Sequence, residues 1–289
     1  MKLCVSSYSF VQYTRAGKMT LQDCVRWAKE TGFDAIEFID LPGDSLEAQK
    51  ALAVELRELC AEVGLEIPVY AVDANFLQLT AAALSAETQR MRDQLDVAKI
   101  LGAKLFRHDY TYNWRRKGIH RSFDLMLPEI SGEFRRLAEY GESLGIRTCS
   151  ENHGRIAQDP HRMERLFNAV AHDNFSLLLD MGNFTGVGAD HKDAIGLLAP
   201  YAVHVHCKDL YISDEPYEGY KAMSRNGKFY HAVPLGEGSV PLARCMQILK
   251  AAGYDGMITV EYEAAEDCIV GIEKGYNFLK KTLAEIDWQ

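Results

Sequence analysis

Four side chains of types that bind metal ions follow apolar, β-rich segments of the chain. The segment SLLLDMGNF, residues 176–184, places Asp180 directly after three leucines. Similarly, RTCSENHG presents Glu151, AVHVHCKD presents His206 and MITVEYE presents Glu261. A carboxylate at the end of a buried strand is costly unless it meets a cation or strong hydrogen-bond donors. We therefore expect Asp180 to have a positively charged partner.

Two glutamates, one aspartate and one imidazole form a set of three oxygen donors and one nitrogen donor. Such a set suits Mn²⁺, Mg²⁺ or Co²⁺, and Zn²⁺ is compatible with it. A single acidic residue after a strand is more often a helix cap or a surface charge, but coincidence explains four such strand ends poorly. The sequence predicts one divalent metal ion, with Mn²⁺ preferred, bound by Glu151, Asp180, His206 and Glu261.

A repeated pattern indicates which elements position these side chains. Five segments pass from a helix-period stretch through a glycine into a short β-rich stretch; the glycines are Gly32, Gly64, Gly102, Gly145 and Gly253. Glycine just past a helix readily takes the left-handed conformation that ends it. One of the helices, TLQDCVRWAKET, has apolar residues at helical spacing, with Thr20 and Asp23 placed as a capping box.

Strands that alternate with helices predict a parallel sheet, because parallel neighbours need crossover connections. Eight strand candidates lie near residues 2–9, 34–40, 66–72, 103–109, 146–151, 175–180, 202–207 and 257–262. Eight such units in 289 residues favour a single (β/α)8 TIM barrel over residues 1–289, and no glycine-rich phosphate fingerprint supports an open sheet. The strand ends of a closed parallel barrel share one rim, so the four candidate ligands can converge there.

One connection is unusually long. Residues 209–240 lie between the seventh strand and the next helix, and structureless connections beyond about 12–15 residues are uncommon and often functional. Because this segment follows a barrel strand, it belongs to the catalytic face. Its tyrosines, together with Phe229, Lys221, Arg225 and His231, are placed to close over a substrate, and a loop packed on its own aromatic side chains is the alternative.

Composition argues against several functional classes. The chain has 47% hydrophobic residues, a formal net charge of −9 and a pI near 5.5, without the basic stripe typical of nucleic-acid or membrane binding. The local basic stretch at residues 107–121 is most simply a solvated loop. The seven cysteines include no CxxC pair and fit buried, reduced side chains. We find no secretion signal and no apolar run of about 18 residues, so we expect a cytoplasmic protein.

The order Glu, Asp, His, Glu on strands five to eight resembles the xylose isomerase-like sugar phosphate isomerase/epimerase superfamily. The resemblance covers nearly the whole chain and is strongest in SENHG, LLLDMGNF, HVHCKD, PLGEGSV and YDGMITVEYE. This superfamily includes ketose 3-epimerases, inosose isomerases and dehydratases, hydroxypyruvate isomerases and relatives of apurinic endonucleases. The resemblance implies a xylose isomerase-like TIM barrel. It also implies that Glu151, Asp180, His206 and Glu261 bind one divalent ion, which the substrate chelates through adjacent oxygens.

A divalent ion chelated by a carbonyl and a neighbouring hydroxyl acidifies the C–H between them. A carboxylate can then remove this proton to give a metal-stabilised enediolate, and two carboxylates on opposite sides can serve as base and acid. The resemblance to epimerases assigns these two roles to Glu151 and Glu261. We expect a metal-dependent isomerase or epimerase of a small sugar, keto-sugar or cyclitol, with no nucleic-acid or membrane partner; a homo-oligomer is left open.

Three alternatives remain open. If the substrate carries a β-leaving group, the same carbanion eliminates it, and the enzyme is a dehydratase or lyase of a keto-sugar, inosose or 3-keto-glycoside. An apurinic-type endonuclease would need a histidine-rich set for three metals, of which the chain offers only His108 and His231. A barrel without metal would be a sugar-binding or partner subunit. Asn183 replaces a histidine of several ketose 3-epimerases, and Lys208 does not match their arginine, so both depart from that pattern.

Further polar residues near strand ends are candidates for contacts with the substrate. Such side chains can donate to substrate oxygens, and His153 or Lys208 can also protonate a leaving group. A supporting or ion-paired role is the alternative for each. The candidates are Glu37, Arg107, His108, His153, Asn183, Lys208 and His231.

Overall fold

The computed structural model describes residues 1–78, 80–111, 122–219 and 222–288. Eight parallel strands form a closed barrel, which confirms the predicted TIM-barrel fold. The barrel strands are β1 (Leu3–Ser6), β2 (Ala35–Ile39), β3 (Val69–Val72), β4 (Leu105–His108), β5 (Arg147–Glu151), β6 (Phe175–Asp180), β7 (Ala202–Cys207) and β10 (Ile258–Val260). Two further strands, β8 (Asp209–Ser213) and β9 (Phe229–Val233), form a separate antiparallel hairpin.

Helices connect the barrel strands. The predicted capping box is present, because the Thr20 side chain accepts from the Asp23 N–H and the Asp23 side chain accepts from the Thr20 N–H. Gly32 ends this helix at a φ of 103°, in the left-handed region that favours glycine. The helices are α1 (Val11–Arg15), α2 (Leu21–Thr31), α3 (Leu46–Val63), α4 (Ala81–Leu101), α5 (Phe123–Leu144), α6 (Gly154–Ala157), α7 (Pro160–Val170), α8 (His191–Leu198), α9 (Leu242–Ala251) and α10 (Cys268–Glu285); 3₁₀ turns cover Ser7–Phe10, Asn183–Val187 and Ala199–Tyr201.

The first strand is shorter than its predicted range, 2–9. It ends at Ser6, whose hydroxyl accepts a hydrogen bond from the Tyr8 N–H and begins a 3₁₀ turn. Within this turn, the Ser9 hydroxyl accepts from the Tyr262 N–H, just beyond β10. The turn thus joins the chain after the first strand to the chain after the last, a contact that periodicity alone does not reveal.

Two apolar layers decide which strand residues face the barrel axis. The large layer packs between strands and helices and includes Leu177, Leu179 and Cys207. The small layer lies inside the barrel and consists of Val69, Ala71, Cys149 and Leu178. Because strand side chains alternate, Glu151 and Asp180, each two positions beyond a member of the small layer, also face inward. The alternation that builds the core therefore directs both carboxylates toward the axis.

The long segment after β7 is partly an antiparallel hairpin rather than a structureless loop. Strands β8 and β9 pair along their whole length. The buried carboxylate of Asp209 accepts hydrogen bonds of 2.9 to 3.2 Å from the N–H groups of Gly236, Gly238 and Val240. Asp209 therefore ties the end of this segment to its beginning.

All seven cysteines are buried and none forms a disulfide, as the sequence predicts. Burial raises the pKa of the Cys60 thiol to about 12, so this side chain stays protonated and packs as a small apolar group. Within the described ranges, no helix combines the length and the apolar character needed to cross a membrane.

Asp209→Ala is expected to lower the free energy of unfolding by about 3 kcal/mol, because the backbone N–H groups of Leu210, Gly236, Gly238 and Val240 lose their acceptor. Urea-induced unfolding measures the difference. Asp214, in the same hairpin, is exposed and makes one surface ion pair, so Asp214→Ala is the control and should cost less than about 0.5 kcal/mol. Equal stability of Asp209→Ala and wild type would contradict the anchoring role.

Candidate metal centre

Four neighbouring strands bring the predicted ligands to one end of the barrel. Glu151 is the last residue of β5, and Asp180 is the last residue of β6. His206 lies one residue before the end of β7, and Glu261 directly follows β10. One ligand-type atom from each of these residues lies within 4.8 Å of those of the other three. We call these four residues the quartet.

Asp180 is fully buried, and only one of its carboxylate oxygens is satisfied by hydrogen bonds. Oδ1 accepts hydrogen bonds of 2.7 Å from the N–H groups of Gly182 and Asn183. Oδ2 has no hydrogen-bond partner in the described part of the chain, although Lys208 Nζ lies 3.3 Å away. Burial, which Lys208 only partly offsets, raises the pKa of Asp180 to about 7. One oxygen of Asp180 is thus available to a cation.

His206 presents one ring nitrogen to the same space. Its Nε2 lies 2.9 Å from Glu37 Oε1, whereas its Nδ1 has no hydrogen-bond partner among the described residues. This Nδ1 lies 3.5 Å from Glu261 Oε1 and 3.9 Å from Glu151 Oε1. Buried polar atoms are normally paired, so the two unpaired atoms, together with the three-oxygen, one-nitrogen donor set, fit a divalent cation.

Two buried basic side chains already balance part of the negative charge. Lys208 Nζ lies 2.7 Å from Glu261 Oε2 and 3.5 Å from Glu263 Oε2. Arg107 Nη2 lies 2.6 Å from Glu151 Oε2. Burial opposes the charge on Lys208, but the surrounding carboxylates outweigh burial and raise the pKa of Lys208 well above its usual range. Each of the two quartet glutamates thus places one oxygen on a basic side chain and the other toward the quartet.

His153 forms a charged pair beside the quartet. Its Nδ1 lies 3.2 Å from both carboxylate oxygens of Asp109, and Arg107 Nη2 lies 2.8 Å from the same carboxylate. Burial disfavours the imidazolium, but the charge of Asp109 outweighs burial and raises the pKa of His153 to about 9. His153 therefore carries a second ring proton at neutral pH.

A cavity of about 570 Å³ borders the quartet. Four of the predicted substrate contacts line it, namely Arg107, His153, Asn183 and Lys208. Asn183 also supports a candidate ligand, because its Nδ2 donates a 2.9 Å hydrogen bond to Glu151 Oε1. Tyr230, one of the tyrosines expected to cover a substrate, also lines the cavity. The polar lining that the sequence did not single out comprises Tyr8, Asp40, Asp73, Asp109, Arg155, Gln158 and Glu263.

Glu37 and His108 are predicted substrate contacts that the structure does not bring to the cavity wall. Glu37 is fully buried inside the barrel, where it faces His206. His108 is adjacent to Arg107 on β4 and therefore points to the opposite face of the strand. There it packs edge-on against Phe134 at 4.4 Å, and burial lowers its pKa to about 4.

The hairpin also separates two neighbouring side chains. The ring of His231 stacks on Tyr217 at 4.1 Å and does not line the cavity, whereas Tyr230 does. Adjacent residues of a strand point to opposite faces, which accounts for this difference. Lys221 of the predicted cover and residues 112–121 of the basic stretch lie outside the described residues.

The sequence analysis did not single out two cavity residues, Asp109 and Glu263, although their positions in the sequence indicate them. Asp109 follows Arg107 by two positions, and Glu263 follows Glu261 by two positions. A spacing of two keeps side chains on the same face of an extended segment. Continuing the strand period by one more step would have pointed to both carboxylates.

Comparison with known proteins identifies a family whose model matches most of the chain. The family described as xylose isomerase-like TIM barrel matches residues 25–282. An inosose dehydratase from Lacticaseibacillus casei is 28% identical over 134 residues, which is 44% of either chain, so the match spans less than half of that relative. The rhizopine catabolism protein MocC from Rhizobium meliloti is 26% identical over 261 residues, which cover 86% of this chain and 76% of MocC.

Solved structures show the same architecture. The structure described as IOLI protein with a binding zinc atom is similar at a TM-score of 0.76 and 17% identity, over 99% of this chain and 98% of that chain. At this identity the similarity concerns the fold alone. The match over residues 25–282 and the closed eight-stranded barrel show that the chain belongs to the xylose isomerase-like TIM barrel family.

Proposed function

We propose that the chain is a metal-dependent enzyme that moves a proton at the carbon beside the carbonyl of a small keto-sugar or keto-cyclitol, as an isomerase or epimerase. One observation carries this proposal. Three carboxylates and one imidazole converge beside a cavity, and Asp180 Oδ2 and His206 Nδ1 are left without hydrogen-bond partners among the described residues.

The quartet would hold one divalent ion, and Mn²⁺ suits its three oxygens and one nitrogen, with Mg²⁺, Co²⁺ and Zn²⁺ also compatible. Bound there, the ion would polarise a substrate carbonyl and acidify the adjacent C–H. The zinc atom bound by the IOLI protein supports a divalent ion in this type of barrel.

Glu151 and Glu261 are suited to move the proton. They belong to the two outer strands of the row β5, β6, β7 and β10, so they flank the other two members of the quartet. Burial opposes the charge of Glu261, but Lys208 and His206 outweigh burial and hold the pKa of Glu261 well below its usual range. A carboxylate on each side of the substrate can take a proton and return it to the other face or to the neighbouring carbon.

Elimination of water is the second candidate, and His153 is the observation that favours it. His153 is protonated, fixed by Asp109 and part of the cavity wall, so it is placed to donate a proton to a departing hydroxyl. Loss of a proton from one carbon and of that hydroxyl from the next would form a C=C bond and release one water molecule. The inosose dehydratase that the chain resembles is named for a dehydration.

The metal-free protein is expected to bind one Mn²⁺ per chain in a calorimetric titration. Asp180→Asn should weaken binding by roughly 100-fold or more, since losing a group that only supports a ligand already costs about 10–100-fold. Asp40→Asn is the matched control, because Asp40 lines the cavity outside the quartet. Unchanged Mn²⁺ affinity in Asp180→Asn would exclude the quartet as the binding site.

Turnover in D₂O is expected to place deuterium on the carbon beside the carbonyl of at least one keto-sugar or inosose, as followed by proton NMR. Glu151→Gln and Glu261→Gln should each slow this exchange by at least about 100-fold, as expected for removal of a general base. Glu237→Gln is the matched control, because Glu237 makes a surface ion pair with Lys274. No exchange into any candidate by the Mn²⁺-loaded protein would overturn the proposal.

His153→Gln distinguishes the two outcomes of proton removal. If the enzyme eliminates water, this variant should form the dehydrated product about 100-fold more slowly while deuterium exchange continues, because only the departing hydroxyl needs the acid. If it is an isomerase or epimerase, the ratio of exchange to product should stay at its wild-type value. Both quantities are measured in one NMR time course.

A further inference from the structure

We propose that Glu37 is a positioning residue, which holds the His206 ring so that Nδ1, and not Nε2, faces the metal. His204 and Thr259 hold Glu37 in turn. This inference rests on the metal centre of the proposed function. It replaces the substrate contact that the sequence suggested for Glu37 with a role inside the barrel.

Glu37 is a carboxyl group without access to the cavity. It comes from β2, has no exposed surface and is not part of the cavity wall. Its two oxygens lie within 3.3 Å of the Nε2 atoms of His206 and His204. Glu37 is therefore a fully buried carboxyl group that meets two imidazoles.

The two ring nitrogens of His206 have different surroundings. Nε2 lies 2.9 Å from Glu37 Oε1 and 3.0 Å from Oε2, so it faces both oxygens of the carboxyl group, and we assign the hydrogen of this contact to Nε2. In a neutral imidazole this leaves the lone pair on Nδ1. Nδ1 is the atom directed at the quartet carboxylates, so Glu37 selects the tautomer that can bind a metal there.

A second imidazole and a hydroxyl fix Glu37 in place. His204 precedes His206 by two positions on β7 and shares its inward facing, one layer deeper in the barrel. His204 Nε2 lies 3.3 Å from Glu37 Oε2 and 2.6 Å from Thr259 Oγ1. A hydrogen bond between Thr259 of β10 and His204 of β7, followed by the contact of His204 with the carboxylate of β2, thus crosses the interior of the barrel.

The same interior also raises the possibility of a second metal site. Cys4, Glu37 and His204 offer ligand-type atoms within 4.8 Å of one another. However, His204 Nε2 is engaged by the Thr259 hydroxyl at a hydrogen-bonding distance, and all three residues are fully buried. His204 thus already has a hydrogen-bond partner, which favours a supporting role over metal binding, and the number of ions bound per chain distinguishes the two arrangements.

Glu37→Gln is the direct test. The variant keeps the size of the side chain but adds an NH₂ group, so His206 can accept a hydrogen bond through Nε2 and carry its hydrogen on Nδ1. We expect the Mn²⁺ affinity of the metal-free protein to fall by about 10–100-fold in a calorimetric titration. Cys4→Ser is the interior control, since the Cys4 thiol donates to the Val5 carbonyl oxygen, and it should keep the wild-type affinity.

Nitrogen-15 NMR of the histidine rings in the Zn²⁺-loaded protein gives a readout that a merely structural role would not move. In the wild type, we expect His206 to bind Zn²⁺ through Nδ1 and to carry its hydrogen on Nε2. Glu37→Gln should lose this preference. Should Glu37→Gln fail to fold, the wild-type spectrum still decides, because Zn²⁺ on Nε2 of His206 would overturn the inference.

The outcomes separate this inference from the proposed function. A wild-type protein that binds no divalent ion defeats the proposed function itself. One ion bound equally well by wild type and Glu37→Gln, with the same His206 spectrum, overturns the positioning role alone. Two ions per wild-type chain, one of them lost in Cys4→Ser, would overturn it in favour of a second metal site.

Discussion

Buried negative charge at one end of the barrel is the constraint on which the rest of the structure depends. Three carboxylates and an imidazole share a space in which their ligand-type atoms lie within 4.8 Å of one another. Burial makes such charges costly unless they are paired. Arg107 neutralises Glu151 and Lys208 neutralises Glu261, whereas Asp180 between them receives two backbone N–H groups on one oxygen. The proposed cation would supply the remaining positive charge.

The two-residue period of the strands distributes this charge in layers. Along β7 and the residue that follows, His204, His206 and Lys208 share one facing. His204 supports Glu37 in the interior, His206 contributes the imidazole of the quartet, and Lys208 neutralises a neighbouring carboxylate. One stretch of five residues thus provides the interior support, the candidate ligand and the counter-charge, because each step of two moves one layer toward the cavity.

The sequence was sufficient where the information is local. Glycine after a helix, apolar runs and a polar residue at each strand end identified the barrel and brought the candidates Glu151 and Asp180 to one rim. The direction of the His108 side chain could also be predicted from the sequence. His108 is adjacent to Arg107 on the same strand, so the two side chains point to opposite faces. Counting positions from Arg107 would have separated the two.

Other features depend on contacts that no local pattern contains. Glu37 of β2 meets His206 of β7, although these two strands are not neighbours in the barrel, so their contact follows only from closure of the sheet. The strand alternation turns His231 away from the cavity, but its stacking partner Tyr217 lies outside both hairpin strands and could not be read from that alternation. These side-chain roles required the three-dimensional arrangement.

The hairpin is anchored at its base, which separates its outer residues from the strand that carries His206. Strand β8 begins one residue after Lys208, and Asp209 fastens the returning segment at Gly236 and Gly238. The described residues 214–219 and 222–228 therefore lie beyond the fastened base and are not part of the strand that carries His206. Among them, Ala222 lines the cavity. A substitution at Ala222 would thus change the cavity wall from a segment that is separate in the chain from the residues of the quartet.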